Sequence, residues 1–243
     1  MVFSGLLRKL MARNHGNISY SQSGEDVIAR FLFQSLRIVR PTYIDVGAHD
    51  PFYLNNTAIF YADGSRGINI EPNKMLLDSF KKHRPHDVNL CMCVGKYEGV
   101  IDYYLMDIPT LNTASKEEAM RLEASTDRRI VDVVQVPVKT IASVIDEYCS
   151  GVFPDFLTLD VEGVDEVILE SIEFGKQAPK VICVETLTYT EHSEPQKKDG
   201  ILRLLTERGY SIYADTYINT LFVRTDIWRR ASAGDAHGGS GCC

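Results

Sequence analysis

Two short apolar segments, each carrying an acidic residue at or near its end, constrain the fold of this chain most strongly. Residues 43–50 read Tyr-Ile-Asp-Val-Gly-Ala-His-Asp, and residues 67–72 read Gly-Ile-Asn-Ile-Glu-Pro. One helix's length of chain separates them, as between the first two strands of a nucleotide-binding α/β sheet. Gly47 permits a close approach of the backbone to a ligand, and Glu71 stands where a ribose presents its hydroxyls. The pair predicts an adenosine-containing ligand.

The glycine pattern disfavours an ordinary NAD site. Dinucleotide sites combine Gly-x-Gly-x-x-Gly with an acidic residue about 20 residues further along the chain. Here Asp45 and Glu71 are 26 residues apart, and that glycine pattern is absent. A nicotinamide-dependent oxidoreductase on a similar sheet is therefore an alternative with weaker support.

Charge and composition exclude several classes of protein. The chain has 243 residues with 26 basic and 33 acidic side chains, for a net charge of −7, and 44% of its residues are hydrophobic. That length is the upper end of a single domain with an ample core. An acidic chain without a basic cluster argues against a nucleic-acid partner, because such binding depends on phosphate neutralisation. No run of 18 apolar residues occurs, so no transmembrane segment is predicted.

The two ends of the chain are predicted to lie outside the folded domain, which spans residues 19–228. Residues 1–18 form a helical or flexible segment with basic residues among leucines. Packing on the domain and peripheral contact with a membrane surface are its two interpretations. Residues 229–243 form a flexible tail that ends in Cys242 and Cys243, where lipidation is the alternative to plain exposed thiols. Free cysteines in predicted strands, without a Cys-x-x-Cys pair, favour a cytoplasmic location.

Short apolar segments alternate with helical patterns along the domain. This alternation predicts a parallel sheet with helices on both faces. The last two strand patterns are separated by only five residues, which predicts a hairpin and an antiparallel final strand. The predicted strands are 42–46, 67–70, 88–94, 156–160, 180–185, 210–214 and 220–223, and the predicted helices are 27–36, 54–62, 73–83, 140–149, 164–174 and 196–208.

One stretch departs from the alternation. Residues 100–105 and 133–138 are strand-like, and the polar residues between them include a helical piece near 115–124. We interpret residues 107–132 as an insertion over the carboxyl edge of the sheet, where ligands bind in this architecture. A solvated surface decoration is the alternative.

Acidic residues recur at the ends of four predicted strands. Asp45 lies at the end of the first strand, Glu71 directly follows the second, and Glu185 ends the fifth. Asp160 and Glu162 follow a buried strand two positions apart, which places them on the same side if the strand continues. Buried carboxylates are costly unless they face a cleft, a cation or hydrogen-bond donors. A shared cleft explains their recurrence.

A polar segment precedes the first predicted helix. Residues 21–26 read Ser-Gln-Ser-Gly-Glu-Asp, and Ser23 with Asp26 has the spacing of a capping box, which predicts a helix start. A loop of this polarity could also fold over a cofactor, and the two interpretations are compatible.

Taken together, these segments resemble the FkbM family of S-adenosylmethionine-dependent methyltransferases. The resemblance rests on residues 21–26, 45–51, 55–57, 66–73 and 155–163, in the order that the family has them. Many family members have asparagine and glycine at the positions of His49 and Pro51. The chain therefore more closely resembles a branch that has histidine and proline there. The resemblance implies an α/β, Rossmann-like class I methyltransferase fold with a seven-stranded, mostly parallel sheet and an antiparallel last strand. It also implies that Gly47 and Ala48 contact the amino acid part of S-adenosylmethionine and that Glu71 holds its ribose.

Family members methylate hydroxyl groups, often of sugars, which predicts an O-methyltransferase with a small-molecule or glycan acceptor. The methyl group is already electrophilic, so the enzyme must align the acceptor oxygen and remove a proton. Histidine, whose pKa lies near neutrality, is one candidate base. A Mg²⁺ ion held by Asp160 and Glu185 is a further hypothesis, because it would make a hydroxyl of a sugar diol more acidic. A non-catalytic binding module is a further alternative function, and a homodimer is one alternative for assembly. The candidate catalytic residues are Asp160, Glu162, Glu185 and His192, and the candidate cofactor-binding residues are Gln22, Asp45, Gly47, Ala48, His49, Asn56, Glu71, Pro72, Val94 and Asp160.

Overall fold

The described part of the chain contains a central seven-stranded sheet, a three-stranded sheet and a two-stranded sheet. The computed structural model describes residues 16–161, 163–175, 177–188 and 196–235. The strands are β1 (Tyr43–Val46), β2 (Gly67–Ile70), β3 (Val88–Leu90), β4 (Cys93–Val94), β5 (Gly99–Met106), β6 (Ile130–Lys139), β7 (Phe156–Leu159), β8 (Val181–Glu185), β9 (Leu187–Thr188), β10 (Gln196–Lys197), β11 (Tyr210–Asp215) and β12 (Asn219–Arg224). The helices are α1 (Glu25–Ser35), α2 (Ala58–Ala62), α3 (Lys74–His83), α4 (Lys116–Ser125), α5 (Ile141–Cys149), α6 (Asp165–Glu170), α7 (Asp199–Glu207) and α8 (Thr225–Asp235), with a 3₁₀ turn at Pro109–Leu111.

The central sheet has seven strands in the order β11-β12-β8-β7-β1-β2-β3. Strands β8, β7, β1, β2 and β3 are mutually parallel, whereas β12 runs antiparallel to both of its neighbours. The predicted hairpin and antiparallel final strand are therefore confirmed. The final strand is not at the edge, because β12 lies between β8 and β11 and leaves β11 outermost.

Both faces of the central sheet are covered by helices, because alternate strand residues point to opposite sides. On one face, Tyr43 and Phe156 pack with α1 and α2. On the other, Ile44 and Leu157 pack with α5, α6 and α7. Edge-to-face contacts at centroid distances of 5.6 to 5.9 Å join Phe33, Phe60 and Phe156 on the first face. This two-sided burial explains why the parallel strands are apolar without alternation.

The predicted strand 88–94 is divided between two sheets. Its first part, β3, pairs with β2. Its last part, β4, instead joins β6 in a three-stranded sheet of order β4-β6-β5. Cys91 lies between the two strands and not within one. After Leu90 the chain leaves the central sheet, and Cys93 and Val94 pair with β6 instead.

Three predicted helices are shorter in the structure. The helix predicted at 54–62 begins at Ala58, because Asn55 and Thr57 direct their side chains to Asp45. The helix predicted at 164–174 ends at Glu170. The helix predicted at 196–208 begins at Asp199, because β10 pairs with β9. Among the described residues, no helix has both the length and the apolar character needed to cross a bilayer.

Several predictions fall wholly or partly outside the described residues. The described residues do not include Glu162, His192, Cys242 or Cys243, and they include only residues 16–18 of the segment 1–18. The first residues of the predicted tail belong to α8, which continues to Asp235.

Candidate functional site

A cavity of about 650 Å³ lies at the carboxyl ends of the parallel strands. Its floor comes from the ends of β1, β2, β7 and β8, and its opposite wall comes from the segment between β4 and β5, from β5 itself and from the turn before α4. Strand register brings the floor together, since Val46 is paired with both Ile70 and Leu159. The cavity brings together the following predicted site residues: Gln22, Gly47, His49, Asn56, Glu71, Pro72, Val94, Asp160 and Glu185.

Gly47 forms a turn that only glycine fits. Its φ is +80°, and an added Cβ would lie 1.9 Å from the carbonyl oxygen of Asp160. The amides of Gly47 and Ala48 both donate to the carbonyl of Ile70, at 3.0 and 3.1 Å. The turn is thus pressed against the ends of β2 and β7, where it exposes backbone to the cavity.

Asp45 and Ala48 are buried beneath this turn and do not line the cavity. The Asp45 carboxylate accepts hydrogen bonds from Thr57 Oγ1 at 2.8 Å and Asn55 Nδ2 at 3.1 Å. Asn55 Nδ2 also donates to the Ala48 carbonyl at 3.1 Å. Burial raises the pKa of Asp45 to about 6, although these bonds and the nearby Arg84 oppose the shift. In this structure Asp45 therefore orders the loop from below.

Glu71 presents a buried carboxylate to the cavity. Its Oε2 accepts the His49 amide at 2.9 Å, and its Oε1 accepts the Asn73 amide at 2.8 Å. Burial raises the pKa of Glu71 to about 7, against these two hydrogen bonds. Each carboxylate oxygen can accept a second bond. Glu71 thus retains two acceptor positions for a pair of neighbouring hydroxyls.

His49 occupies a backbone conformation that few residues tolerate. Its φ is +56°, a region in which asparagine, aspartate and histidine are enriched among residues other than glycine. Its half-buried ring lies 6.5 Å from the ring of Tyr53. Burial lowers the pKa of His49, and the charge of Asp50 opposes this only partly. Burial thus favours the neutral form of the imidazole at the cavity.

A buried arginine beneath the loop was not identified from the sequence. Arg84 is 0% exposed, and its guanidinium donates to Asp87 Oδ2 at 2.9 Å and to Asn55 Oδ1 at 3.1 Å. It also donates to Tyr43 Oη and Thr57 Oγ1, both at 2.9 Å. Arg84 therefore anchors the two residues that hold Asp45. Its position at the end of an amphipathic helix gave no signal of this role.

Glu185 is paired with a lysine that the sequence also did not indicate. Lys198 Nζ lies 3.0 Å from Glu185 Oε2 and 3.4 Å from Asp165 Oδ2. Burial raises the pKa of Glu185, while the Lys198 ammonium opposes that rise. Asp165 accepts the amides of Val161 and Gly163 at 3.1 and 3.3 Å. Lys198 therefore joins the end of β8 to the loop after β7, two parts of the cavity floor.

The remaining candidates differ in their surroundings. Asp160 is exposed at the cavity, and its amide donates to the Val46 carbonyl at 3.1 Å. Asn56 Nδ2 donates to Thr158 Oγ1 at 3.0 Å. Within the described ranges, no group of three or more His, Cys, Asp or Glu side chains is arranged to hold a metal ion.

The polar segment before α1 folds differently from the predicted capping box. The N-cap residue is Gly24, and no side chain caps the helix. Ser21 Oγ instead accepts the Gly24 and Asp26 amides at 3.1 and 3.3 Å. Asp26 reaches back to Ser19 Oγ at 2.7 Å. Ser23 and Asp26 therefore do not form the box, because Asp26 is engaged further upstream.

Comparison with solved structures finds similarity to several methyltransferases. It is similar to the methyltransferase FkbM from Methylobacillus flagellatus KT, with 15% identity, a TM-score of 0.42 and coverage of 75% of this chain and 43% of that one. It is similar to a magnesium protoporphyrin IX methyltransferase from Synechocystis PCC 6803, with 11% identity, a TM-score of 0.33 and coverage of 91% and 93%. An O-methyltransferase from Bacillus cereus gives 12% identity, a TM-score of 0.37 and coverage of 90% and 87%. The chain spans less than half the length of the Methylobacillus protein.

A match to a domain family covers most of the chain. No curated protein matches significantly. The Methyltransferase FkbM domain, however, matches residues 45–212, which is more than half of the 243 residues. The matched region runs from β1 to β11 and includes Gly47, Glu71, Asp160 and Glu185. The chain therefore belongs to the FkbM methyltransferase family.

Proposed function

We propose that this chain is an S-adenosylmethionine-dependent O-methyltransferase that acts on a hydroxyl of a sugar, glycan or related small molecule. The observation that carries the proposal is the pairing of the Gly47 turn with the Glu71 carboxylate in one cavity of about 650 Å³. A cavity of this size suits a small-molecule site with room for cofactor and acceptor together. Membership of a methyltransferase family supports the proposed methyl transfer.

The residues of the cavity fit the cofactor from one end to the other. Glu71 accepts the two ribose hydroxyls on the acceptor positions left by its backbone contacts. Gly47 leaves backbone exposed for the amino acid part, on the side of β1 and β7. Pro72, Met92 and Val94 supply an apolar wall beyond Glu71 for the adenine. When bound, S-adenosylmethionine supplies an electrophilic methyl group.

Glu185 is the best-supported candidate base for the acceptor hydroxyl. Burial raises the pKa of Glu185. The Lys198 Nζ, 3.0 Å from Glu185 Oε2, holds the carboxylate in position. Asp160 is exposed and better suited to orienting the acceptor. Glu162 and His192 stay candidates on sequence grounds. Magnesium has less support, because the Lys198 ammonium beside Glu185 would repel a cation there.

We also infer the branch and the location of the protein. The branch would have histidine at position 49 and proline at position 51, and the φ of +56° at His49 is compatible with a change from asparagine to histidine because both residues tolerate it. The cysteines that the structure describes are free, which supports a reducing, cytoplasmic compartment.

Calorimetry with the purified chain tests the cofactor directly. S-adenosylmethionine and S-adenosylhomocysteine are expected to bind with micromolar affinity, because both carry the ribose and amino acid parts that the cavity accommodates. NAD is expected to give no heat. Binding of NAD alone would favour the oxidoreductase. Binding of S-adenosylmethionine without turnover on any hydroxylated acceptor would favour the non-catalytic module.

The affinity for S-adenosylhomocysteine should fall on acidification through pH 7. Ribose hydroxyls donate to the ionised carboxylate, so binding competes with the proton that Glu71 holds below its pKa of about 7. The expected loss is about tenfold per pH unit below that value. The same raised pKa means that Glu71 contributes stability to the free protein at low pH, which is lost as the pH rises through 7.

Glu71→Gln provides the matched control. The amide is neutral at every pH, so this variant should bind more weakly at pH 8 and show little change between pH 8 and pH 6. An equal pH dependence in both proteins would assign the proton to another group, such as Asp45.

A further inference from the structure

A buried carboxylate at the start of α1 connects two walls of the cavity. Glu25 is 0% exposed. Its Oε1 accepts Thr216 Oγ1 at 2.6 Å and Asn219 Nδ2 at 3.2 Å, and its Oε2 accepts the Ser23 amide at 2.8 Å. Thr216 and Asn219 lie 191 and 194 residues further along the chain. The contact therefore ties the first described loop to the turn between β11 and β12.

Both connected segments reach the cavity. Gln22, in the loop held by Glu25, lines it, and so do Ile218 from the hairpin turn and Asn219 at the start of β12. The other end of the loop is fixed by the backbone N–H of Asn55, which donates to the Tyr20 carbonyl at 3.0 Å. Gln22 therefore lies between an anchor after β1 and an anchor at β12.

The strand order of the central sheet indicates which end of the cofactor would lie near the Gln22 loop and the turn between β11 and β12. Glu71, the proposed ribose ligand, follows β2, whereas Asn219 begins β12, four strands away in the order β12-β8-β7-β1-β2. Neighbouring strands are about 4.8 Å apart, so the two ends are separated by roughly 19 Å. The anchor of the Gln22 loop at Asn219 therefore lies away from the adenosine end, on the side of the cavity proposed for the amino acid part.

The chemistry of the contact requires an ionised carboxylate. Three donors converge on Glu25, and a carboxylate is the side-chain group that accepts without donating. Burial alone would raise the pKa of Glu25, but the hydrogen bonds from Thr216, Ser23 and Asn219 outweigh it and keep the pKa below its usual value. An amide in the same position would set an NH₂ group against a donor.

We propose that Glu25 is a positioning residue that holds Gln22 against the amino acid part of S-adenosylmethionine. This inference rests on the proposed function. Under this proposal, loss of the Glu25 contact weakens only the binding of the amino acid part of the cofactor. A purely structural clamp would affect the binding of all parts of the cofactor alike. Gln22 then supplies its side-chain amide to the amino acid carboxylate or ammonium group.

Two adenosine compounds separate this role from a general loss of stability. S-adenosylhomocysteine carries the amino acid part, and 5′-methylthioadenosine lacks it while keeping adenine and ribose. Calorimetry with Glu25→Gln is expected to show about tenfold weaker binding of S-adenosylhomocysteine, the size of one lost hydrogen bond to a charged group. Binding of 5′-methylthioadenosine should change less than about twofold on the same scale. Gln22→Ala should reproduce this selective loss.

Asp155→Asn is the matched control. Asp155 also accepts a backbone amide and a hydroxyl, from Thr42 at 2.9 and 3.2 Å, but it precedes β7 at the opposite end of the sheet. Its loss should lower stability and leave the ratio of the two affinities unchanged. If Glu25→Gln does not fold, Thr216→Val removes one donor with less disturbance and should show a smaller loss of the same selectivity.

The possible outcomes separate the two proposals. Equal weakening of both compounds, or no weakening of either, overturns the positioning role. The absence of any binding by the unaltered protein would instead contradict the proposed cofactor. Selective weakening in the Glu25 variant, or in the Thr216 variant where the former is unfolded, supports both.

Discussion

Replacing Arg84 by methionine is expected to destabilise the fold by about 3–5 kcal/mol, the range for removing one member of a buried ion pair. Arg84 and Asp87 have fully buried side chains with the Arg84 Nε 2.9 Å from Asp87 Oδ2. Methionine fills similar space but leaves the Asp87 carboxylate without its cation. It also removes the donors to Tyr43, Asn55 and Thr57. Urea unfolding followed by circular dichroism measures the loss.

An exposed arginine serves as the comparison. Arg121 Nη2 lies 2.6 Å from Glu118 Oε1 on α4, and both side chains are 41% exposed. Arg121→Met should lower the free energy of unfolding by about 1 kcal/mol or less, because water replaces most of this interaction. Similar losses in the two variants would show that the Arg84 network contributes no more than a surface pair.

Replacing Gly47 by alanine is expected to abolish cofactor binding and to destabilise the protein. A side chain at a φ of +80° costs about 1–2 kcal/mol. The new Cβ would also meet the Asp160 carbonyl oxygen at 1.9 Å, and overpacking of this kind costs about 1–3 kcal/mol more. The loop must move to relieve the contact, and it would then no longer align with Glu71. Calorimetry with S-adenosylhomocysteine and thermal unfolding measure both effects.

Gly209→Ala isolates the contribution of the backbone angle. Gly209 has a φ of +87° after α7, and nothing lies within 4 Å of a Cβ added there. This variant should lose about 1–2 kcal/mol and bind the cofactor normally. If Gly47→Ala binds S-adenosylhomocysteine as well as the Gly209 variant does, the close approach to Asp160 has no part in the site.

The sequence predicted those features that depend on local pattern. The apolar strands β1, β2, β7 and β8 carry their own signal because both faces of the sheet are covered. Their carboxyl ends meet at one edge, so the acidic residues at the ends of β2, β7 and β8 could be grouped from the sequence alone. The turn at Gly47 could be identified from its glycine and its position.

Features that depend on distant partners could not be predicted. The segment 88–94 has the pattern of one strand, and its division depends on the pairing of Cys93 and Val94 with the distant strand β6. Asp45 follows the same acidic pattern as Glu71, yet its side chain points under the loop to Asn55 and Thr57. Lys198 could not be matched to Glu185, because ion pairs of this kind have no sequence period.

The place of β12 in the sheet has a consequence for synthesis of the protein on the ribosome. Among the described residues β12 is the last strand in sequence, and it supplies the pairing partner of both β8 and β11. Until residues 219–224 emerge, β8 has an open edge and β11 has no neighbour in the sheet. An unpaired edge of apolar strands readily recruits other chains. We therefore expect a nascent polypeptide that still lacks β12 to aggregate more readily than one in which β12 has paired with β8 and β11.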